Sequence, residues 1–319
     1  MTTTVHAIPT IDIAPLLTGD AAARADIARQ LGEAAQTYGF MKLVGHGVPE
    51  AVIADTFSAA QDFFGQSEEA KAPYQERKTN RGFQPMFDNA KPGQKPSGQE
   101  AFSMGHPIPP EDPALLSLPF YAATPWPADV PLFRERLETC YHEMFKVGER
   151  VLEAFAVHLG APHDFFANVS RNTYSNMRVV HYPPQEAVQH IADEGVRAHE
   201  DQGLITLLIQ DMNGGLEVLG PEKDWLPVVP DERAIVLNVA KLLTRWTNGR
   251  LKSALHRVIN RSGRERYSIP LFVHPNYHQV IDARDFAAGE PVRFDPIVAG
   301  DQVYKNFAGE RKSWAALTS

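Results

Sequence analysis

Cysteine is nearly absent from this chain, because Cys140 is the only one among 319 residues. A single thiol excludes an internal disulfide, and proteins without disulfides are typical of a reducing compartment. We therefore expect a cytoplasmic protein. Cys140 falls within the apolar face of a helical pattern, which favours a packing role over a nucleophilic one.

Long apolar runs and basic runs are also missing. No apolar stretch approaches the roughly 20 residues that cross a bilayer, and the first residues, MTTTVHAIPTID, lack the pattern of a secretory leader. The net charge is −8 and no basic cluster stands out, which argues against nucleic acid as a partner. We expect a small-molecule partner and no membrane association, and the sequence leaves the oligomeric state open.

A histidine and an aspartate stand together before an apolar run in RAHEDQGLITLLIQ, residues 197–210. In an extended strand, His199 and Asp201 would project from the same face. A second apolar run further along the chain carries His256. Two histidines and one carboxylate form the ligand set that leaves open positions on Fe(II). By itself the His-x-Asp pair is weak evidence, because surface pairs of this kind arise by chance.

The residues after His256 strengthen the metal-site interpretation. A turn over 260–264 separates two alternating runs and predicts a β-hairpin. In that hairpin, His256 would lie opposite Ser268, with Arg266 diagonally across on the same face. An arginine can hold a carboxylate through two parallel hydrogen bonds, and a hydroxyl can add another. This surface would suit a dicarboxylate that chelates iron at one end and is held at the other.

Together these motifs resemble those of the isopenicillin N synthase-like branch of the Fe(II)/2-oxoglutarate-dependent oxygenases. The matching segments cover nearly the whole chain: IPTIDIAPLL, YGFMKLVGHGVP, MRVVHYPP with Tyr182, His199-x-Asp201, DMNGGLEVL, RWTNGRLKSALHRV and Arg266-x-Ser268. The chain departs from the family pattern in two places. Val180 stands where the family often has asparagine, and Ala240-Lys241 replaces the usual Gly-Asp.

The resemblance implies a fold and a chemistry. The expected fold is mainly β with flanking helices around a double-stranded β-helix, or jelly-roll, core. The expected enzyme is a dioxygenase that uses Fe(II), 2-oxoglutarate and O2 to oxidise, most often to hydroxylate, a C–H bond of a small molecule, releasing succinate and CO2. The resemblance assigns iron to His199, Asp201 and His256. It assigns the far carboxylate of 2-oxoglutarate to three further residues, Arg266, Ser268 and Tyr182.

Sequence patterns divide the chain into four parts. Residues 1–125 alternate helical and strand patterns, and residues 126–172 contain the clearest amphipathic helix, over 132–160. Residues 173–280 read as short strands divided by turns, typical of a jelly roll, and these strands include LTRWT at 243–247. Residues 281–319 form a tail of mixed pattern. The resemblance implies that this tail folds back over the pocket.

Candidate substrate-pocket residues lie mostly in the proline- and glycine-rich stretch from 81 to 131. GFQPMF and EAFSMG within it are predicted to be short strands. A loop of this length favours a lid over the site, with Arg81, Phe83 and Phe102 as candidates, although a plain connector is equally consistent. Phe272 of the last motif strand and Phe307 of the tail are the other two candidates.

Two alternative functions remain open at this point. An iron oxidase resembling isopenicillin N synthase would take all its electrons from the substrate and would keep the same Arg-x-Ser pair. A non-catalytic jelly-roll binding protein would be marked by the loss of a metal ligand, and none is lost. A zinc hydrolase is less consistent, because it has no evident use for Arg266 as a cationic anchor.

Overall fold

The computed structural model of the protein describes residues 7–76, 79, 81–86, 98–167, 171–184 and 195–306. The helices are α1 Ala14–Thr18, α2 Ala21–Thr37, α3 Glu50–Phe64, α4 Glu68–Lys71, α5 Phe133–Leu159 and α6 Lys241–Trp246, and a further helical segment covers 299–306. Short 3₁₀ turns cover Ala72–Tyr74, Pro113–Ser117, Pro119–Tyr121 and Ala283–Phe286. Among the described residues, none of these helices is both long and apolar enough to span a bilayer.

Fifteen short strands lie between the helices in the described part of the chain. The strands are β1 Thr10–Asp12, β2 Phe40–Val44, β3 Gln75–Glu76, β4 Arg81–Gln84, β5 Glu100–Gly105, β6 Asn176–Tyr182, β7 Val196–His199, β8 Ile205–Gln210, β9 Leu216–Leu219, β10 Trp225–Pro227, β11 Ile235–Val239, β12 His256–Val258, β13 Arg266–Val273, β14 Val280–Ile281 and β15 Ile297–Val298. The two strands predicted within the proline-rich stretch are β4 and β5.

Two sheets form the core. The larger sheet has nine strands in the order β1-β2-β11-β8-β13-β6-β5-β4-β3, and the smaller has four in the order β10-β9-β12-β7. Strands from the first 125 residues extend both edges of the larger sheet, so this region and the jelly-roll strands share one hydrogen-bonded layer. β14 and β15 form a separate two-stranded ladder.

Helix α5 supports the back of the nine-stranded sheet. Its sequence repeats apolar residues at three- and four-residue steps, and Leu137, Tyr141, Met144 and Phe155 are fully buried as that pattern predicts. A side chain at Gly148 would come within 3.2 Å of Val273 on β13, so glycine allows the helix to approach the sheet closely. The predicted helix is confirmed to within a residue at each end.

The predicted hairpin between β12 and β13 is wrong. β12 pairs with β7 and β9 of the four-stranded sheet, whereas β13 pairs with β6 and β8 of the nine-stranded sheet. The turn over 260–264 carries the chain from one sheet to the other instead of reversing it within one ladder. His256 consequently pairs with His199 and Val218 and does not pair with Ser268.

The strand predicted at LTRWT is also wrong, because this segment belongs to helix α6. Leu242, Leu243 and Trp246 are buried at helical spacing, and the Trp246 indole donates a hydrogen bond of 2.8 Å to Asp285. The short segment resembled a strand because its β-branched and aromatic residues match that pattern equally well. Tertiary packing of one helical face decided the outcome.

Candidate active site

A cavity of about 100 Å³ lies between the two sheets. Alternate residues of the larger sheet line one wall, since side chains two apart on a strand share a face. On β13 these are Arg266, Ser268, Pro270 and Phe272, and on β6 they are Arg178, Val180 and Tyr182. His199 and His256 contribute from the smaller sheet. We call this space the cavity below.

Three metal-ligating side chains meet in the cavity. One ligand atom from each of His199, Asp201 and His256 lies within 4.8 Å of the other two, and we call these residues the metal triad. The Nε2 atoms of His199 and His256 lie 3.5 and 3.8 Å from Oδ1 of Asp201. The two histidines face each other across paired strands, with ring centroids 4.3 Å apart. Two imidazole nitrogens and one carboxylate oxygen therefore converge on one point.

Local hydrogen bonds select the nitrogen that each histidine presents. Nδ1 of His199 lies 2.8 Å from the carbonyl oxygen of Arg197, and Nδ1 of His256 lies 3.0 Å from that of Ala254. A carbonyl oxygen only accepts, so Nδ1 carries the proton and donates it in both rings. In the neutral ring, each Nε2 therefore keeps the lone pair that a metal ion can use. This is the tautomer that metal-binding histidines use.

The Asp201 carboxylate is oriented in the same manner. Strand β7 ends at His199, and Asp201 lies in the connection that follows it, not on the strand itself. Its Oδ2 accepts hydrogen bonds from the Thr206 hydroxyl at 2.6 Å and the Asn238 amide at 2.8 Å. With Oδ2 satisfied, Oδ1 is the oxygen that faces the two histidines. These contacts prevent the carboxylate from rotating away from the histidines.

Burial and charge set the protonation states of the metal triad. Burial opposes ionisation of Asp201, but the two histidines and Thr206 outweigh it and hold the pKa of the carboxyl well below its ordinary value. Burial lowers the pKa of His256. Burial also acts on His199, yet the hydrogen bond and charge of Asp201 outweigh it and raise the pKa of that ring. At neutral pH the site therefore offers an anionic carboxylate and a neutral His256 to a cation.

The three ligands differ in solvent exposure. The side chain of His199 is 42% exposed, whereas those of Asp201 and His256 are 5% and 9% exposed. One side of the triad is therefore open, as a metal that must also bind substrates requires. Closed structural metal sites instead fill every position with protein ligands.

Arg266 occupies a different part of the cavity wall and is completely buried. Its Nε donates to the Gly214 carbonyl at 2.6 Å, and Nη2 donates to the Gln210 amide oxygen at 3.1 Å. Its Nη1 is inaccessible to solvent and has no hydrogen-bond partner among the described residues. A buried guanidinium nitrogen without an acceptor is costly unless a ligand supplies one. A carboxylate fits this requirement.

Tyr182 and Ser268 lie beside Arg266. Tyr182 is its cross-strand partner on β6, and the guanidinium carbon lies 4.8 Å from the centre of the Tyr182 ring. Ser268 is two residues further along β13, is buried, and lines the same cavity. The structure thus brings together all six residues that the sequence assigned to iron and 2-oxoglutarate.

Three of the five substrate-pocket candidates lie outside the cavity. Phe83 and Phe102 lie in the core behind the nine-stranded sheet, where Phe102 packs against Phe63 and Phe133. Arg81 is buried outside the cavity and donates from Nη2 to the Phe120 carbonyl. The structure therefore corrects these three predictions. For the two phenylalanines the reason is strand alternation, which turns them toward the helices.

The last two candidates come from the C-terminal part of the chain. Phe272 lines the cavity, and Phe307 lies outside the described residues. The last described residue of the tail contacts the segment that follows Asp201, because the Asn306 amide donates to the Gln202 side-chain oxygen at 2.7 Å.

Sequence reasoning missed three residues that matter to the site. Arg178 lines the cavity on the same face of β6 as Val180 and Tyr182. Because it precedes them by two and four residues, strand alternation could have predicted that it shares their face. Thr206 and Asn238 hold Asp201 and are polar residues at buried positions of mainly apolar strands. A polar residue at a buried strand position commonly has a specific partner, which is the signal that was available.

Comparisons with known proteins agree with this geometry. Residues 8–129 match the family model described as the N-terminal part of the non-haem dioxygenase in morphine synthesis, and residues 171–275 match the 2OG-Fe(II) oxygenase superfamily. The 2-oxoglutarate-Fe(II) type oxidoreductase hxnY of Emericella nidulans is 34% identical, covering 96% of this chain and 92% of its own length. The 2-oxoglutarate-dependent dioxygenase citB of Monascus ruber is 35% identical, covering 84% and 85%.

A solved structure extends the comparison to three dimensions. The crystal structure of a full-length Neurospora crassa protein in complex with alpha-KG and thymine superposes with a TM-score of 0.84 at 25% identity. The match covers 97% of this chain and 98% of that one. The predicted mainly β fold, with helices flanking a double-stranded β-helix core, is thereby confirmed.

The chain belongs to the 2OG-Fe(II) oxygenase superfamily. It is a 2-oxoglutarate-dependent dioxygenase with Fe(II) as its metal and O2 as its co-substrate. The residues present fit both groups, because the metal triad offers three convergent donor atoms and Arg266 offers a carboxylate a nitrogen that no described residue engages. Of the alternatives drawn from the sequence, the 2-oxoglutarate-dependent enzyme is the one these relatives support.

Proposed function

We propose that this enzyme hydroxylates a C–H bond of a small-molecule metabolite while 2-oxoglutarate is converted to succinate and CO2. One observation carries the proposal: the metal triad lines the same cavity as Arg266, whose buried Nη1 has no partner among the described residues. A dicarboxylate can thus reach the metal with one end and the guanidinium with the other. The 2-oxoglutarate-dependent relatives support the same reaction class.

Each residue has a defined part in this proposal. His199 and His256 through Nε2, and Asp201 through Oδ1, would hold Fe(II), which when bound would supply the redox chemistry between O2 and 2-oxoglutarate. Arg266 binds the far carboxylate of 2-oxoglutarate, and Ser268 adds a hydroxyl donor beside it. The Tyr182 ring stacks on the guanidinium and keeps its plane oriented toward the cavity.

The protein also limits access of water to this reaction. Phe272, Pro270 and Leu208 line the cavity with apolar surface, and Arg266 itself is completely buried. A dry wall strengthens the attraction between the guanidinium and a carboxylate, since the local dielectric is low. The substrate would approach from the side on which His199 is exposed.

The test is a metabolite screen with purified protein, Fe(II), 2-oxoglutarate and O2, read out by succinate release. A compound that stimulates succinate release should gain one oxygen atom by mass spectrometry. Consumption of O2 with a substrate in the absence of 2-oxoglutarate would contradict the proposal and favour an oxidase. Product lacking two hydrogens would indicate desaturation instead of hydroxylation.

The setting of the enzyme is part of the same proposal. We place it in the cytoplasm as an enzyme of small molecules that binds neither nucleic acid nor membranes, on the basis of its acidic net charge and single buried cysteine. We also keep the division into an N-terminal region (1–125), a supporting helix (126–172), a core (173–280) and a tail (281–319). The two family matches, over 8–129 and 171–275, support boundaries near these positions.

A further inference from the structure

A second guanidinium, that of Arg178, faces the cavity from β6. It lies four residues before Tyr182, which at about 3.3 Å per residue places the two backbones roughly 13 Å apart along the strand. Because Tyr182 pairs with Arg266, the two arginines stand at different depths of the same wall. The proposed 2-oxoglutarate site therefore uses Arg266 and leaves Arg178 without an assigned role.

The Arg178 side chain is held in place yet incompletely satisfied. Its Nη2 donates to the Gln84 side-chain oxygen at 2.8 Å, and the Gln84 amide nitrogen donates to the Ser103 hydroxyl at 2.9 Å. These contacts orient the guanidinium from the neighbouring strands β4 and β5. Its Nε is inaccessible to solvent and has no hydrogen-bond partner among the described residues. The side chain thus presents an oriented donor that the described part of the protein does not use.

No carboxylate neutralises Arg178 within the described residues. The charged groups that line the cavity with Arg178 are the metal triad and Arg266, and the pKa of Arg178 is lowered because burial disfavours the cation. By contrast, the partly buried Arg257 has Glu217 at 2.8 Å. A partly buried cation without a counter-ion is unfavourable in the free protein, unless a ligand brings the missing charge.

Charge balance in the loaded site leads to the same conclusion. The cavity holds two guanidinium groups and one carboxylate, and Fe(II) adds two further positive charges. Bound 2-oxoglutarate contributes two negative charges, which leaves one positive charge uncompensated. The uncompensated positive charge is that of Arg178, because Arg266 and the metal would each bind one end of 2-oxoglutarate.

We propose that Arg178 binds a carboxylate of the primary substrate, so that the enzyme oxidises small organic acids. This inference rests on the proposed function and names its substrate class. The acid group would accept a hydrogen bond from Nε of Arg178, which has no partner among the described residues, and the apolar remainder would lie against Pro270 and Phe272. Held in this way, a carbon of the substrate remains free to approach the metal triad.

The experiment compares acids with uncharged analogues of the same shape. Full-length protein loaded anaerobically with Fe(II) and saturating 2-oxoglutarate is titrated calorimetrically with benzoate, phenylacetate and hexanoate, and with the primary amide of each. The variants are Arg178→Gln and Arg178→Lys. The matched control is Arg264→Gln, which removes an exposed arginine from the turn before β13. Binding of 2-oxoglutarate to every variant is measured in parallel.

We expect at least one acid to bind about 10- to 100-fold more tightly than its amide in the wild type and in Arg264→Gln. Arg178→Gln should abolish that preference and leave 2-oxoglutarate binding unchanged. Arg178→Lys should keep only part of it, because lysine retains the charge but not the planar donor edge. If the glutamine variant does not fold, the lysine variant and the wild-type comparison still decide the question.

Two results would overturn the inference. One is that no acid binds more tightly than its amide in the wild type, and the other is that the preference survives in Arg178→Gln. Failure of the proposed function would look different. In that case acids would bind through Arg178, yet no compound in the metabolite screen would release succinate.

Discussion

The two walls of the cavity are built in different ways. On the four-stranded sheet, the metal-bearing strands β7 and β12 are only four and three residues long, and their histidines are oriented by single contacts to nearby carbonyl oxygens. On the nine-stranded sheet, β13 is eight residues long and is paired on both sides. Helix α5 packs behind that sheet.

Because of this difference, substitutions on the two walls should have different effects on metal binding and on folding stability. Replacing a histidine on the four-stranded wall removes one contact to a nearby carbonyl oxygen and should change metal binding more than folding. A substitution on or behind the nine-stranded wall disturbs a closely packed core and should change folding as well. The predictions below test this separation, beginning with the largest expected effect.

Replacing a histidine of the metal triad should abolish turnover. In His199→Ala or His256→Ala the site keeps two protein ligands, and we expect no succinate release above background with Fe(II) present. The exposed His278 provides the control, since His278→Ala removes an imidazole that is remote from the cavity. Anaerobic Fe(II) titration checks the cause. Wild-type metal affinity in either triad variant would contradict the assignment.

Removing Phe102 should mainly affect stability. Its ring is fully buried among Phe63, Trp126 and Phe133, so Phe102→Ala should lower the free energy of unfolding by about 3–5 kcal/mol. Chemical denaturation measures this loss. At a temperature where the variant is folded, its affinity for 2-oxoglutarate should match the wild type. A selective loss of substrate binding would restore Phe102 as a pocket residue.

Replacing Arg266 should weaken 2-oxoglutarate binding. Arg266→Ala removes a charge-assisted contact worth about 1.5–3 kcal/mol, so the apparent KM for 2-oxoglutarate should rise about 10- to 100-fold. Some destabilisation should accompany it, because Gly214 and Gln210 lose their donor. Arg264→Gln is again the control, and an unchanged KM in Arg266→Ala would remove this residue from the 2-oxoglutarate site.

Removing a support of Asp201 should weaken metal binding less than removing a ligand. Asn238→Ala deletes one of the two hydrogen bonds to Oδ2 and leaves that of Thr206. We expect Fe(II) affinity to fall about tenfold, the lower end of what such supporting contacts provide. Calorimetric titration of Fe(II) into the variant measures the change. Thr206→Val gives an independent removal of the other hydrogen bond, and an unaltered affinity in both variants would contradict this role.

Acidification should release the metal through His199. Fe(II) binds the neutral ring, and the raised pKa of His199 means that it takes up a proton first as the pH falls, before His256 with its lowered pKa. Metal affinity should therefore be greatest above the pKa of His199 and decline below it, by about tenfold per pH unit for one proton. A titration series from about pH 8 to pH 6 tests this. An affinity that stays constant over that range would contradict it.

Periodic sequence patterns were sufficient for the longer elements. Helix α5 begins and ends within a residue of the prediction, because apolar residues recur along 27 positions and Gly160 adopts a positive φ of 81° after the last turn. The metal triad was also predictable, since a histidine and an aspartate two apart and a distant histidine form a chemically specific set. Short segments were less secure, as LTRWT shows, because a segment this short fits two periodicities.

Errors about the site came from partners that are distant in sequence. The hairpin prediction assumed that β12 and β13 pair because they are adjacent along the chain, whereas His256 pairs with His199, 57 residues earlier in numbering. Phe83 and Phe102 were assigned to a lid because a proline-rich stretch resembles a loop. They are instead inward-facing positions of two strands that extend the larger sheet.

The amino-acid sequence by itself determined which side chains can bind iron and a carboxylate, because ligand chemistry belongs to the residue type and its local spacing. The tertiary structure alone decided which nitrogen of each arginine lacks a partner, and which residues orient Asp201. These outcomes depend on Gly214, Gln210, Gln84 and Asn238, which come from separate strands and turns. Hydrogen bonding is a short-range interaction, so it could not be assigned before the fold had brought those segments together.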